Sequence, residues 1–85
     1  MASKSYTNKN IYDTVRMNIK KYRKLAGMTQ QELADASGFS HGYIREIESM
    51  KMGSTFSLDA VEKIANALNI HFKLLFEETK EENKR

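Results

Sequence analysis

The fold is decided by residues 29–49, which read TQQELADASGFSHGYIREIES. Thr29 and Glu32 have the spacing of a capping box, in which the threonine hydroxyl accepts from the Glu32 backbone N–H and the glutamate carboxylate reaches back. The apolar residues that follow predict a short helix over about residues 30–37. Gly38 is typical of the left-handed residue that ends such a helix. This stretch therefore begins with one short, well-delimited helix.

A second short helix follows directly in the same stretch. Ser40 can cap it at the N-terminus, and the helix is predicted to run over about residues 41–49. Ile44 and Ile47 are spaced to share one buried face, and Phe39 is expected to pack just ahead of the first turn. The sequence thus predicts two consecutive helices joined by a tight turn.

A longer amphipathic helix is predicted upstream, beginning at Ile11. Its apolar residues recur every three or four positions, which is the period of one helix face: Ile11, Val15, Ile19, Tyr22 and Ala26. The basic residues are predicted to lie on the opposite, solvent-facing side of this helix: Arg16, Lys20, Lys21 and Lys24. Gly27 is expected to stop this helix.

Two further helices are predicted downstream. Ser57 can cap a helix over residues 58–68, and Asn69 is a suitable left-handed stop. A short fifth helix is expected over about residues 72–78, with His71 as its cap. We therefore expect one all-α domain of five helices over residues 11–78, between a flexible N-terminal arm (1–10) and a charged flexible tail (79–85).

Composition narrows the classes of function. The 85 residues contain no cysteine and only two histidines, so neither a disulfide nor a metal site is expected. Residues 1–51 hold nine Lys and Arg against five Asp and Glu, a basic balance that suits a polyanionic partner or, equally, ordinary solubility. No apolar run approaches the roughly 20 residues of a membrane span. We expect a cytoplasmic protein without membrane contact, cofactor or catalytic residues.

Several local patterns together resemble one family. They are Leu33-Ala34-x-x-x-Gly38-Phe39-Ser40 followed by Ile44 and Ile47-Glu48, Gly27-Met28-Thr29-Gln30 before them, and Ile64-Ala65-x-Ala67-Leu68-x-Ile70 after them. This combination resembles the Cro/repressor-type (XRE-like) helix-turn-helix family over about residues 11–76. The resemblance implies a lambda-repressor-like DNA-binding domain with the motif at the second and third helices. Three features depart from the family pattern: Ser37, a longer loop after Lys51, and Phe56 in place of a common proline.

The resemblance also assigns site residues. The third helix would enter the major groove and read bases through its exposed residues: His41, Gly42, Tyr43, Arg45 and Glu46. DNA phosphates would be held by Gln30, Ser40, Ser49 and Lys51. Arg23 and Glu48 would form a structural ion pair between the first and third helices.

Alternatives stay open for individual residues. Arg45 could donate to guanine or only to phosphate, and Glu46 could accept from cytosine, orient Arg45 or take no part. Gly42 could permit close approach to the bases or be a tolerated substitution. The Tyr43 ring could pack on DNA or against the loop.

The function implied is a transcription regulator, a repressor or controller protein, that binds a palindromic operator in double-stranded DNA as a homodimer. The apolar C-terminal residues Ile70, Phe72, Leu74 and Phe76 are candidates for the dimer interface, although some of them are also expected to serve the core. No small-molecule pocket is evident. The alternative is an antitoxin-type or protein-interaction module of the same fold that sequesters a protein partner.

Overall fold

The computed structural model describes residues 7–51 and 53–78. Five α-helices and no strand occur in this part of the chain, in the order α1 (Ile11–Leu25), α2 (Gln30–Ser37), α3 (His41–Glu48), α4 (Leu58–Leu68) and α5 (Lys73–Phe76). The all-α, five-helix prediction is confirmed. Residues 1–6 of the predicted arm and the predicted tail, 79–85, lie outside the described residues.

The predicted caps of α2 and α3 form as expected. Thr29 Oγ1 accepts from the Glu32 N–H at 3.0 Å, and Glu32 Oε1 accepts from the Thr29 N–H at 2.8 Å. Gly38 ends α2 with φ +82°, a backbone conformation that costs glycine little. Ser40 Oγ then accepts from the Tyr43 N–H at 3.0 Å. The left-handed Gly38 fixes one end of the turn, and the Ser40 cap fixes the other. Residues of the turn itself therefore determine the angle between α2 and α3.

The core is one apolar cluster to which all five helices contribute. Its buried members are Val15, Ile19, Leu33, Ala34, Ile44, Ile47, Val61, Ile64, Ala65, Leu68 and Leu75. Burying each of the larger aliphatic side chains stabilises the fold by about 1.5–3 kcal/mol before entropy is counted. α1 packs against α3, α4 and α5, whereas α2 packs against α3 and α4. α3 is therefore held between α1 and α2, with its remaining surface free for other contacts.

The assignment of Arg16 to the solvent-facing side of α1 was wrong. Only 1% of Arg16 is exposed. Its guanidinium is buried because it donates to main-chain carbonyls of Ile47 and Ser54, which replace the hydrogen bonds that water would supply. The three lysines assigned to that side, Lys20, Lys21 and Lys24, are exposed.

The fifth helix is shorter than the predicted range of 72–78. His71 Nδ1 accepts from the Lys73 N–H at 3.0 Å, but the N-cap of the helix is Phe72, which makes no side-chain cap hydrogen bond. At the other end, the Asn18 side chain donates to the carbonyls of Leu75 at 2.9 Å and Glu77 at 2.7 Å. Since Asn18 satisfies these carbonyls from α1, the chain can leave the helix after Phe76.

None of the described helices has the length and apolarity to cross a membrane.

Candidate nucleic-acid interface

α3 presents two faces of opposite character. Ile44 and Ile47 are 0% and 1% exposed and fix its underside to the core. The outer face carries polar side chains, and Gly42, Arg45, Glu46 and Ser49 line one open, shallow surface. An eight-residue helix is not stable by itself in water. Its outer face is available for binding only because the underside and both ends are held by the rest of the domain.

The five residues predicted to read bases occupy different environments. Arg45, Glu46 and Gly42 are exposed, whereas His41 and Tyr43 are half-buried. The Tyr43 ring lies against the Phe39 ring, with centroids 4.7 Å apart, so much of it is turned toward the protein. The structure therefore brings Arg45, Glu46 and Gly42 together on the outer face and places Tyr43 at its edge.

Gly42 leaves a gap in the outer face. A Cβ placed at this position would have the Arg45 Nη2 atom as its nearest neighbour, 4.0 Å away, which is an ordinary van der Waals contact. The backbone of Gly42 is helical and does not require glycine. Packing within the protein thus gives no reason for glycine at this position.

The C-terminal end of α3 is held by a buried polar network. Arg23 donates to both oxygens of the Glu48 carboxylate, from Nε at 2.7 Å and from Nη2 at 2.9 Å, and it donates from Nη1 to the Met28 carbonyl. Gln30 Nε2 adds a third hydrogen bond to Glu48 at 3.0 Å. The carboxylate thereby joins α1, α2 and α3 through charge-assisted hydrogen bonds.

This network raises the pKa of the Arg23 guanidinium. The hydrogen bonds to Glu48 are the main cause and the charge of Glu48 adds to them, while desolvation by burial acts in the opposite direction. Because the pKa of the guanidinium is raised in the folded state, its contribution to stability is fully present below the ordinary pKa of arginine and is lost only as the pH rises through the raised value. The guanidinium therefore keeps its charge throughout the physiological range.

The residues predicted to contact phosphates lie around α3. Gln30 is half-buried, and its amide N–H is already engaged by Glu48. Ser40 is exposed and caps α3, while Ser49 and the exposed Lys51 follow the other end of the helix. Ser40 thus lies at the N-terminal end of α3, whereas Gln30, through its hydrogen bond to Glu48, lies at the C-terminal end that Ser49 and Lys51 follow.

The apolar residues predicted to form a dimer interface are only partly exposed. Ile70 and Phe76 are half-buried and pack against the core, Leu74 is half-buried, and Phe72 is 47% exposed. Phe72 and Phe76 line a groove with Leu58, which is 75% exposed. The helical spacing of Leu58 with Val61 and Ile64 predicts a place on the inner face of α4, and this prediction is wrong.

Two polar residues of α1 were also missed in the sequence. Arg16 and Asn18 are both buried, and each holds a segment distant in sequence. A signal for Arg16 was present, because Arg16, Ile19 and Arg23 follow the helical spacing of three and four residues. Asn18 has no comparable pattern, since its two acceptors are main-chain carbonyls.

Among the described residues no group of acidic, histidine and cysteine side chains could hold a metal ion.

The helix-turn-helix family model matches residues 19–75 of this chain. The chain belongs to the XRE-type helix-turn-helix family of DNA-binding transcription regulators. This confirms the resemblance seen in the sequence. No curated protein sequence matches the chain significantly.

Solved structures with the same fold include several regulators. A hypothetical transcription factor from Neisseria is similar with a TM-score of 0.77 and 22% identity, covering 95% of this chain and 91% of its own, and shows the fold alone. The restriction-modification controller protein C.AhdI from Aeromonas hydrophila is 28% identical, with a TM-score of 0.69 and coverage of 76% and 91%. C.Esp1396I bound to a 25-base-pair operator site is 29% identical, with a TM-score of 0.70 and coverage of 81% and 88%.

Replacing Glu48 by alanine is expected to destabilise the protein by about 3–5 kcal/mol, because the Arg23 charge is then left buried without its partner. Glu46→Ala is the matched control, since the neighbouring exposed carboxylate should change the free energy of unfolding by less than about 0.5 kcal/mol. Thermal unfolding followed by circular dichroism measures both. Equal melting temperatures for the two variants would show that the Arg23–Glu48–Gln30 network does not hold α3.

Proposed function

We propose that this chain is a repressor or controller protein that binds a palindromic operator in double-stranded DNA as a homodimer. In this proposal α3 enters the major groove and its outer face meets the bases. The observation that carries the proposal is the outer face of α3: an exposed arginine and glutamate beside a glycine gap, on a helix whose underside is buried. Such a regulator acts in the cytoplasm, where it blocks or aids polymerase at a promoter.

Arg45 is proposed to supply the main base contact. Its planar guanidinium can donate two hydrogen bonds to O6 and N7 of guanine, and it is exposed at the centre of the outer face. Glu46 can accept from the N4 amino group of cytosine. His41 and Tyr43, which are half-buried at the first turn of α3, would contact bases or sugars at the edge of the footprint.

The phosphate contacts are proposed to flank these base contacts. Ser40 meets the DNA backbone at the N-terminal end of α3, and Gln30, Ser49 and Lys51 meet it at the C-terminal end. Because the Gln30 side-chain N–H donates to Glu48, the helix N-terminus of α2 would contribute its main-chain N–H groups to a phosphate oxygen. These contacts would set the register of α3 without reading sequence.

The dimer is proposed because one copy of α3 is much shorter than an operator site bound by a similar protein. An α-helix of eight residues spans about 12 Å, whereas the operator site bound by C.Esp1396I has 25 base pairs, more than two turns of DNA. We propose that a second copy packs against the groove that Leu58 lines with Phe72 and Phe76. Ile70 and Leu74 are proposed to contribute to the same interface. A twofold axis at this surface would present two copies of α3 to two half-sites.

Selection of binding sites from random DNA duplexes tests this proposal. The expected result is an enriched inverted repeat with half-sites about one helical turn apart, and an affinity that falls steeply with salt concentration. Absence of any enriched sequence would overturn it. In that case, a folded protein that captures a protein ligand with little salt dependence would point to the sequestering module instead.

Replacing Arg45 by alanine should weaken binding to the selected operator by about 1–3 kcal/mol and relax specificity at one base pair of each half-site. Lys51→Ala is the control, because loss of a phosphate contact should weaken binding to all sequences alike. Both are measured by fluorescence anisotropy on the operator and on a set of single-base-pair variants. A uniform loss across those DNAs for Arg45→Ala would assign Arg45 to phosphate.

Replacing Gly42 by alanine should stabilise the free protein by about 1 kcal/mol, since the added Cβ meets no atom closer than 4.0 Å and alanine favours the helix. The same variant should bind the operator more weakly, because the Cβ fills the gap that DNA approaches. Thermal unfolding and operator affinity are measured on the same preparation. Higher stability with unchanged affinity would contradict close approach at Gly42.

Replacing Leu58 by glutamate should dissociate the dimer while leaving the monomer folded, because Leu58 is 75% exposed in the monomer and becomes buried only against a partner. Met17→Glu is the matched control, since Met17 is 53% exposed on α1, outside the groove. Sedimentation equilibrium gives the dimer Kd, which we expect to rise more than tenfold for Leu58→Glu alone. An equal effect of the two variants would place the interface elsewhere.

A further inference from the structure

Arg16 is the most deeply buried charged side chain among residues 7–51 and 53–78. It belongs to α1, yet its guanidinium contacts the chain that follows α3. Nη1 donates to the Ile47 carbonyl at 2.8 Å and lies 3.5 Å from the Ser49 carbonyl, and Nη2 donates to the carbonyl of Ser54. One side chain therefore holds main-chain groups on both sides of the loop after α3.

The carbonyls of Ile47 and Ser49 need such a partner. They lie at the C-terminal end of α3, where carbonyl groups lack helical donors and carry partial negative charge. Ser49, the residue that follows α3, has an extended conformation with φ −80° and ψ 117°, so no left-handed glycine closes the last turn of the helix. The positive guanidinium of Arg16 takes that role from a neighbouring helix.

The far end of the loop is anchored at the same place. The Arg16 guanidinium lies over the Phe56 ring, 5.6 Å from its centroid, and the Tyr12 ring packs edge-on against Phe56 at 5.1 Å. Asp13 accepts from Arg16 Nε at 3.2 Å and orients the group. Lys51 is exposed between the two anchored ends of the loop. Arg16 thus holds the chain on both sides of Lys51.

We propose that Arg16 is a positioning residue for DNA binding. It holds the end of α3 and the loop over residues 49–57 in the arrangement in which Ser49 and Lys51 meet a phosphate beside the half-site. Arg16 itself does not touch the DNA. This inference rests on the operator binding proposed above and names a residue that sets the geometry of that same interface.

The alternative is that Arg16 only stabilises the fold. A merely structural arginine would lower the melting temperature on replacement but would leave the salt dependence of DNA binding and the contribution of Lys51 unchanged. A positioning arginine changes both, because a displaced Lys51 no longer neutralises its phosphate. A double-mutant cycle between Arg16 and Lys51 separates the two roles.

The experiment measures affinity for the selected operator by fluorescence anisotropy at several salt concentrations, with the folded fraction checked by circular dichroism. The variants are Arg16→Met, Lys51→Ala and the double variant. Arg16→Met is expected to weaken binding about tenfold and to lower the slope of log affinity against log salt by about 1, as Lys51→Ala does. In the Arg16→Met background, Lys51→Ala should then cost less than about twofold.

Two further variants act as controls. Ile64→Val removes a methyl group from the buried face of α4, remote from the loop, and should lower stability without changing the salt slope. Arg16→Lys keeps one charge that can reach the carbonyls from one side only, so it should recover part of the lost affinity. If Arg16→Met does not fold, Arg16→Lys takes its place in the cycle.

Each result decides the proposal. An unchanged salt slope, or a full effect of Lys51→Ala in the Arg16 variant, overturns the positioning role while operator binding by the unmodified protein stands. If the unmodified protein itself binds no selected duplex, the proposed function fails and the role of Arg16 in DNA binding fails with it. Loss of slope together with loss of the Lys51 effect supports the positioning role.

Discussion

The Glu48 carboxylate is the constraint on which the placement of α3 depends. It lies at the last residue of α3, and it accepts hydrogen bonds from Arg23 of α1 and from Gln30 of α2. A buried charge is costly unless it is paired, so packing arrangements that separate Glu48 from Arg23 and Gln30 are disfavoured. The network therefore ties the end of α3 to both neighbouring helices.

Polar contacts hold the ends of α3 because this helix is short. Its apolar contribution to the core is Ile44 and Ile47, which fix the underside of the helix but do little to fix its ends. Ser40 holds the N-terminal end through its cap, and the C-terminal end is held from Glu48 and from the carbonyls bound by Arg16. The exposed side chains of α3 are thereby presented on a helix whose position does not depend on them.

Most of the fold was accessible from the sequence because its determinants are local. Capping residues such as Thr29 and Ser40 and the left-handed residue Gly38 act within a few positions of the chain, and they predicted the bounds of α2 and α3. The roles of Arg16 and Asn18 were not accessible, since both bind main-chain carbonyls more than thirty residues away. Any residue type can supply a carbonyl, so no side-chain pattern reports such a contact. The exposed position of Leu58, the first residue of α4, depends in the same way on which part of α4 the other helices cover, and helical periodicity does not contain this information.

We propose that the outer face of α3 meets the major groove at two related half-sites. Methylation interference at guanine N7, which lies in the major groove, tests this claim most directly on the selected operator. We expect methylation to block binding at guanines in both half-sites. With Arg45→Ala, methylation of one guanine in each half-site should no longer change the affinity. Binding that is insensitive to major-groove methylation, or an unchanged pattern with Arg45→Ala, would contradict it.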